Sequence, residues 1–412
     1  MTLSDRLSKR YRKGGFTGLL TSGADVAIRG TVPESVLKYA CRHCVENFIT
    51  REKLKNHEDI EHYNEVATPE QVHVTEPKIK KEIPDALEEH LGEYTFDQPF
   101  VCSIPDATLF GSKGIGVDSD HNIILETSLS RADVLQRTLI QKPIDILSYH
   151  TSKSITRRKY GIVVPLVEYY NSYHHWIFNS LTRLEGIEAF TTATGIECDI
   201  LIPSNPPSWV TESLQLFGYD EDQLIEWDRR HAKAETLVLP SIRRIENTSF
   251  EAGGETNVGR KVVSPKACRW IRKTAIENLP KNINSNYSEK VIISRGDVGT
   301  RTIENKEEVY DYLYDLGFKE YRLANMKFYE QVCLFSQAEC VVSPHGAGLT
   351  NLIFSEDCDV IEIFGQNIKK PTYFLLASIL NHDYSFIIGN QSPDEGRDGS
   401  IYVDIDDISQ YI

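Results

Sequence analysis

Residues 338–364, AECVVSPHGAGLTNLIFSEDCDVIEIF, hold two short apolar runs, CVVS and CDVIEIF, separated by a glycine-rich turn and a helical stretch. Apolar runs of this length, joined by a crossover rather than a tight turn, predict neighbouring strands buried in a parallel sheet. The strand ending at Ser343 gives way to PHGAGLTN, which exposes backbone N–H groups at a helix N-terminus, where the macrodipole favours an anion. Gly346 and Gly348 permit close ligand approach, Ala347 adds little bulk, and His345 supplies a side-chain donor. The arrangement suits a phosphate held by residues 346–349, Leu349 included; glycine turns of this kind also arise for packing alone.

The same pattern extends outward. KVIIS (290–294) predicts another buried strand, NKEEVYDYLYDLG (305–317) a helix with an Asn305/Glu308 capping box and a stop at Gly317. Ser294, Arg295 and Arg301 follow the carboxyl end of the first of these, where open parallel sheets bind ligands, and an arginine fork suits a diphosphate. Glu362, on the last strand of the opening stretch, is placed to accept hydrogen bonds from a ribose or to pair with a neighbouring base. In the preceding half, NIILE (122–126), GIVVPLV (161–167), CDILIP (198–203) and TLVLP (236–240) predict strands, and YHHWIFNSLTRLEGIEAF (173–190) one helix. Alternation of this kind implies an α/β chain of two doubly wound domains facing across a cleft, 99–250 and 251–412, with residues 247–265 as a hinge.

The runs ISRGDVGTRTIEN and FYEQVCLFSQAECVVSPHGAGLTNLIFSEDCDVIEIF resemble the C-terminal half of glycosyltransferase family 61, with its SR, PHGAGLTN and V-x-E-I-F motifs in order. ATLFGSKGIGVDSDHNIILETS resembles that family's opening hairpin, and SYHHW followed by LTRL its N-Y-x-H-W and L-P-R-L pattern, so that the resemblance covers roughly residues 99–390. It implies a GT-B fold with Rossmann-like halves and inverting transfer of a sugar from a nucleotide-sugar donor, a UDP-sugar foremost, with no catalytic metal. A glycan, glycolipid or glycoprotein would be the acceptor. Ser294, Arg295, Arg301, His345, the 346–349 turn and Glu362 become donor-binding candidates, since a metal-free transferase needs cationic and N–H donors around the leaving diphosphate. His175, matching the motif histidine, is the candidate base. Serine at 172 and threonine at 182 depart from the motif, and the doubled His174-His175 leaves the register open by one residue. A histidine packed on Trp176, with an Asp or Glu elsewhere as base, is the alternative.

Residues 37–62 lie outside that resemblance. Cys41, Cys44, His57 and His62 carry the C-x2-C…H-x4-H spacing of a ββα zinc finger, with Phe48 and Leu54 at its two apolar positions, so a structural zinc ion is expected there. The base-reading positions of such a finger would be Thr50, Lys53 and Asn56, but one finger reads about 3 bp and NHEDIEH places three acids at the helix end, which argues against DNA and for a protein partner.

The chain has 412 residues and a formal charge of -15, a balance that excludes broad contact with nucleic acid. Eight dispersed cysteines, no apolar signal core and no membrane-length apolar run point to a cytoplasmic protein. Residues 1–36 form a tail whose first 13 residues carry five basic side chains against one acid, suited to peripheral contact with a membrane, and residues 63–98, rich in charge and proline, read as a linker. The rival to a transferase is a nucleic-acid or protein binding factor acting through the finger, with a catalytically silent GT-B scaffold.

Overall fold

The strand Cys340–Pro344 lies at the centre of a five-stranded, all-parallel sheet ordered Lys319–Tyr321, Lys290–Ile293, Cys340–Pro344, Asp359–Phe364, Asp383–Ile388. Helices connect the strands and cover both faces, which is why the inner ones read as unbroken apolar runs. Counted along the chain the order is 2-1-3-4-5, with its reversal between Lys290–Ile293 and Cys340–Pro344. The structure, a computed structural model, describes residues 23–45, 47–79, 82–152, 159–167, 170, 172–228, 231–247, 260–283, 286–295, 299–365, 370–391 and 399–412.

The first half is less regular than two matched doubly wound domains would be. Four parallel strands, Leu224–Trp227, Asp199–Pro203, Lys159–Pro165 and His231–Pro240, form one side of a ten-stranded sheet. Antiparallel strands Phe100–Pro105, Thr108–Phe110 and Ile115–Val117 continue it, because His231–Pro240 is long enough to pair with two of them in succession. Its order reverses between Lys159–Pro165 and His231–Pro240.

The helix expected over 173–190 is broken into pieces. Tyr173–His175 is followed by a π turn at Trp176–Ser180, a 3₁₀ turn at Leu181–Arg183 and an α-helix at Leu184–Thr194. Thr182 Oγ1 donates to the Phe178 carbonyl and the buried Arg183 reaches the Pro240 and Pro165 carbonyls, so side chains compete with the regular ladder here. Gly186 lets the helix approach the sheet, since a Cβ there would stand 2.7 Å from Pro240.

Two local expectations change. Asn305 does not close a capping box: its amide bonds both backbone groups of Val403 as well as Glu308, tying the helix Lys306–Asp315 to the C-terminal segment. Gly317 does stop that helix, at φ 88°. The linker is also folded. Val74, Leu87, Tyr94 and Phe96 are buried around a hairpin of Glu70–Val74 with Gly92–Phe96, and Lys78 then bonds the Tyr384 carbonyl of the second half at 2.8 Å. Residues 1–22, with the basic tail, and 248–259 of the expected hinge lie outside the described residues; strands Arg244–Asn247 and Arg260–Val263 pair on either side of the latter.

Both halves share one apolar cluster, which includes Trp176, Phe178 and Leu181 from the first and Phe328, Leu349, Phe354 and Phe374 from the second. Glu212 of the first half accepts the Phe328 N–H at 2.8 Å, satisfying an open donor in the first turn of the helix Phe328–Gln337. Among the described residues no helix is long and apolar enough to cross a membrane.

The ββα finger is not what residues 37–62 build. Cys41 and Cys44 sit in one helix, Glu34–Val45, where a finger needs a hairpin, and His62 opens a strand paired with Phe100–Pro105. Phe48 and Ile49 form a short edge strand beside Ile123–Ile124, and Leu54 is buried in the core of the first half.

Candidate functional site

The two glycine-turn glycines serve different ends. Gly348 packs under Leu323 and Ile293, whereas a Cβ on Gly346 would overlap the Arg295 guanidinium. Arg295 therefore lies directly on the turn. Thr300 holds it there, accepting from Nε at 3.1 Å through its carbonyl and from Nη2 at 3.3 Å through its hydroxyl. Arg301 adopts φ 56°, a conformation costly for a side-chain-bearing residue, and its Nη1 donates to the His345 carbonyl at 2.9 Å. Arg295, Arg301, His345 and Gly346 are thus gathered where the strand order of the second sheet reverses, the place at which open α/β sheets bind ligands.

Other members of the expected set are placed differently. Ala347 is exposed and opens a 3₁₀ helix, Ala347–Phe354, whose first bond runs from Leu349 N–H to the Gly346 carbonyl at 3.0 Å. That leaves the Ala347 and Gly348 N–H groups without a carbonyl in the turn, but not that of Leu349, whose side chain is core. Ser294 is buried, with its N–H on the Tyr321 carbonyl. Glu362 is fully enclosed; one carboxylate oxygen lies 2.5 Å from His345 Nδ1 and the other accepts the Tyr384 hydroxyl at 2.6 Å. Its place serves His345, not a ribose. Burial and the Glu362 charge push the Tyr384 phenol well above its ordinary range, so it remains a donor. The His345 ring stacks on Phe364 at 5.2 Å and faces Tyr373 at 5.4 Å.

The SYHHW stretch docks onto this turn. Tyr173 donates to Asn351 Oδ1 at 2.5 Å, and the Asn351 amide in turn bonds Gln331 and the Gly348 carbonyl. His174 meets Tyr373 edge-on at 6.0 Å, and Tyr373 in turn meets His345 at 5.4 Å. Both Tyr173 and Asn351 stand inside motifs quoted above; their pairing could not be read from either alone.

The His175 ring meets that of His174 edge-on, with centroids 5.1 Å apart. It also stacks with Tyr170 at 4.3 Å, and the His175 Nδ1 lies 3.2 Å from Asn179 Nδ2. Arg244 Nη1 lies 2.8 Å from Asn179 Oδ1, and because a guanidinium only donates, this contact fixes the amide. Asn179 Nδ2 must then donate to His175 Nδ1, which places the proton of the neutral ring on Nε2. Four positions separate the two residues, a helical spacing that could have suggested the pair.

Asn179 also lines a cavity of about 480 Å³ with Arg51, Arg131, Arg243, Arg244 and Phe96. Most of these cations face carboxylates: Arg51 bonds Glu126 at 2.9 Å, Arg131 pairs with Asp133, and Arg243 with Glu185. Burial pushes Glu126 up, but the Arg51 charge and hydrogen bond together with the Ile242 N–H bring it below the usual carboxylate value. Arg243, Arg244 and Ile242 follow directly on the strand ending at Pro240, and His175 and Asn179 lie beyond the one ending at Pro165, so the cavity flanks the reversal point of the first sheet. None of the three arginines 51, 243 and 244 was legible as a site residue.

The expected zinc ligands do not converge. Cys41 is buried among Phe110, Ile115 and Leu135, a setting that pushes its thiol up to about 11, away from the thiolate a metal needs. His57 Nε2 lies 3.3 Å from Asp118, and the His62 ring meets Phe190 edge-on. The Cys44 side chain is outside the described residues. Among the described residues no group of three or more His, Cys, Asp or Glu gathers to hold a metal ion.

Residues 173–361 match the family Glycosyltransferase 61. The match begins at Tyr173, contains the Arg295, His345 and Asn351 cluster, and supports a glycosyltransferase. A solved structure, the bacterial iron-containing dodecameric glycosyltransferase TibC from enterotoxigenic E. coli H10407, is similar at 14% identity and a TM-score of 0.23 over 52% of this chain. The chain spans 61% of that protein's length. No curated protein matches it.

Proposed function

We propose that the protein moves a sugar from a nucleotide-sugar donor, a UDP-sugar foremost, to a glycan or glycoconjugate acceptor, inverting the anomeric carbon without a catalytic metal. The reading rests on one observation: Arg295 and Arg301 converge on the Gly346 turn at the reversal point of a parallel sheet. A guanidinium and open N–H groups at that point would take up charge as the diphosphate leaves, the role a metal fills elsewhere. The donor would lie along the second half and the acceptor in the cavity beside Asn179, in a GT-B-like arrangement. A cavity of this size, lined largely by polar and charged side chains, fits a small polar ligand, and arginines 51, 131 and 243, already paired to carboxylates, favour a hydroxyl-rich sugar over a highly charged one.

In the displacement an acceptor hydroxyl oxygen bonds the anomeric carbon, the bond to the diphosphate oxygen breaks, and the hydroxyl proton passes to a base. We assign the base to His175 through Nδ1, its unprotonated nitrogen, with the acceptor hydroxyl taking the place of the Asn179 amide. The alternative of a binding factor acting through a finger has no support in a segment whose cysteines lie on a helix.

Calorimetric titration with UDP and a panel of nucleotide sugars, repeated on Arg295→Ala, tests the reading. Saturable binding lost in the variant is expected. A folded protein that binds no nucleotide would sink it.

A further inference from the structure

We infer that the buried Glu362 is a positioning residue that makes donor binding proton-linked, because His345 can donate to a diphosphate only when the His345–Glu362 pair holds two protons. The inference rests on the reading of the Gly346 turn as a diphosphate cradle. Glu362 Oε1 lies 2.5 Å from His345 Nδ1, so a proton is shared along that line. The Tyr384 hydroxyl donates to Glu362 Oε2, which engages the carboxylate without neutralising it. His345 Nε2 has no protein partner among the described residues, and the side chain keeps 16% of its surface, so this is the atom offered to a ligand.

With one proton in the pair, Nε2 presents a lone pair, which repels a phosphate oxygen. With two protons, as imidazolium and carboxylate or as imidazole and carboxylic acid, Nε2 carries hydrogen and donates. One proton therefore enters from solvent as the diphosphate binds and leaves with it. The other charged and titratable groups around the ring do not substitute for that proton. Arg301 is committed to the His345 carbonyl and Arg295 lies on Gly346. Tyr373 lies 5.4 Å from the ring, is buried, and has its phenol pushed far above neutral pH, and His174 packs edge-on against Tyr373 at 6.0 Å. Glu362 thus supplies the negative charge that lets His345 carry a positive one in the site.

The test is calorimetry of UDP binding in buffers of different ionisation enthalpy, at several pH values across the range in which the protein stays folded. Wild-type protein should take up close to one proton per UDP in part of this range. Over the same range its Kd should weaken by up to about tenfold per pH unit. His345→Gln keeps a donor but cannot titrate, and should cut the uptake to that of UDP's own phosphate. Glu362→Gln should do the same, and if that buried replacement fails to fold, Tyr384→Phe gives a third variant, in which uptake persists because the carboxylate remains. Equal proton uptake by wild type and His345→Gln would overturn the inference while leaving the donor site standing. Failure to bind either UDP or inorganic pyrophosphate would remove the cradle, and this inference with it.

Discussion

Replacing Gly346 with alanine separates binding from folding. The Gly346 backbone is extended, at φ 179°, so a side chain there adds no strain. What it meets is the Arg295 guanidinium, the free end of a long side chain that can swing aside. The fold should lose about 1 kcal/mol, the net scale of hydrogen bonds that water can replace at a partly exposed guanidinium. Swinging aside breaks the bonds from Nε and Nη2 to Thr300 and takes the fork off the turn. A hydrogen bond to a charged group contributes about 1.5–3 kcal/mol, and about 1.4 kcal/mol is tenfold in affinity, so UDP should bind about 10- to 150-fold more weakly. Titration calorimetry gives the Kd and a thermal melt the stability. Gly348→Ala should show the inverse signature. Its Cβ would stand 2.9 Å from Leu323 Cδ1 and 3.2 Å from Ile293 Cγ2, an overpacking cost of about 1–3 kcal/mol with the affinity of the folded fraction unchanged. An unaltered UDP affinity in Gly346→Ala would show that Arg295 is not at the diphosphate.

Tyr173→Phe removes the bond to Asn351 and leaves its Oδ1 unsatisfied at the junction of the halves; urea unfolding should show a loss of about 1–3 kcal/mol, and a change below about 0.3 kcal/mol would contradict the role given to it. Arg244→Ala frees the Asn179 amide and with it the His175 tautomer, so donor turnover should fall by about tenfold or more at unchanged UDP affinity; a parallel loss of affinity would place Arg244 on the donor side instead. His382 makes the fold acid-sensitive. Burial lowers its pKa to about 4, and its Nδ1 accepts the Cys358 N–H while Nε2 donates to the Leu352 carbonyl. The unfolded chain, with an ordinary value near 6.5, takes the proton first, so stability is intact above about pH 6.5 and declines by about 3 kcal/mol as pH falls to about 4. Urea midpoints across that window, flattened in His382→Gln, check this; parallel slopes in the two proteins would refute it. Small-angle scattering should give the same radius of gyration with and without saturating UDP, and a contraction of several ångströms would show a hinge closure that the shared core resists.

The second half was largely legible because its strands are buried on both faces, and continuous apolar runs such as CVVSP and DVIEIF have few other uses. Arg295, His345 and Gly346 were legible for a related reason, since they follow strand ends directly. The first half was less so. The antiparallel partners of His231–Pro240 depend on long-range pairing that no local pattern records, and the π turn at Trp176–Ser180 depends on Thr182 and Arg183 finding carbonyl partners. Glu362 shows the limit of residue-by-residue reading. A carboxylate on a strand beside the glycine turn is equally suited to a ribose or to a histidine, and the Tyr384 and His345 contacts decide between them. The zinc spacing failed because C-x2-C is also compatible with one helical turn. In the helix Glu34–Val45 the apolar surroundings of Cys41 outweigh any metal.

The seven residues from Tyr173 to Asn179 give the two halves their common frame. One end bonds Asn351 on the glycine turn and the other bonds Arg244 on the cavity wall, so a single short stretch touches the reversal points of both sheets. Trp176 and Phe178, in the middle of it, lie in the apolar cluster shared with Phe328 and Phe374. Separating the halves there would expose side chains that each contribute about 1.5–3 kcal/mol by burial, on top of the Tyr173 and Glu212 bonds. Around the π turn at Trp176–Ser180 the His174 and His175 rings meet edge-on at 5.1 Å, His174 packing also on Tyr373 and His175 reaching Asn179. The proposed donor and acceptor sides meet across this irregular backbone, and substitutions that restore a regular helix there should cost activity before they cost stability.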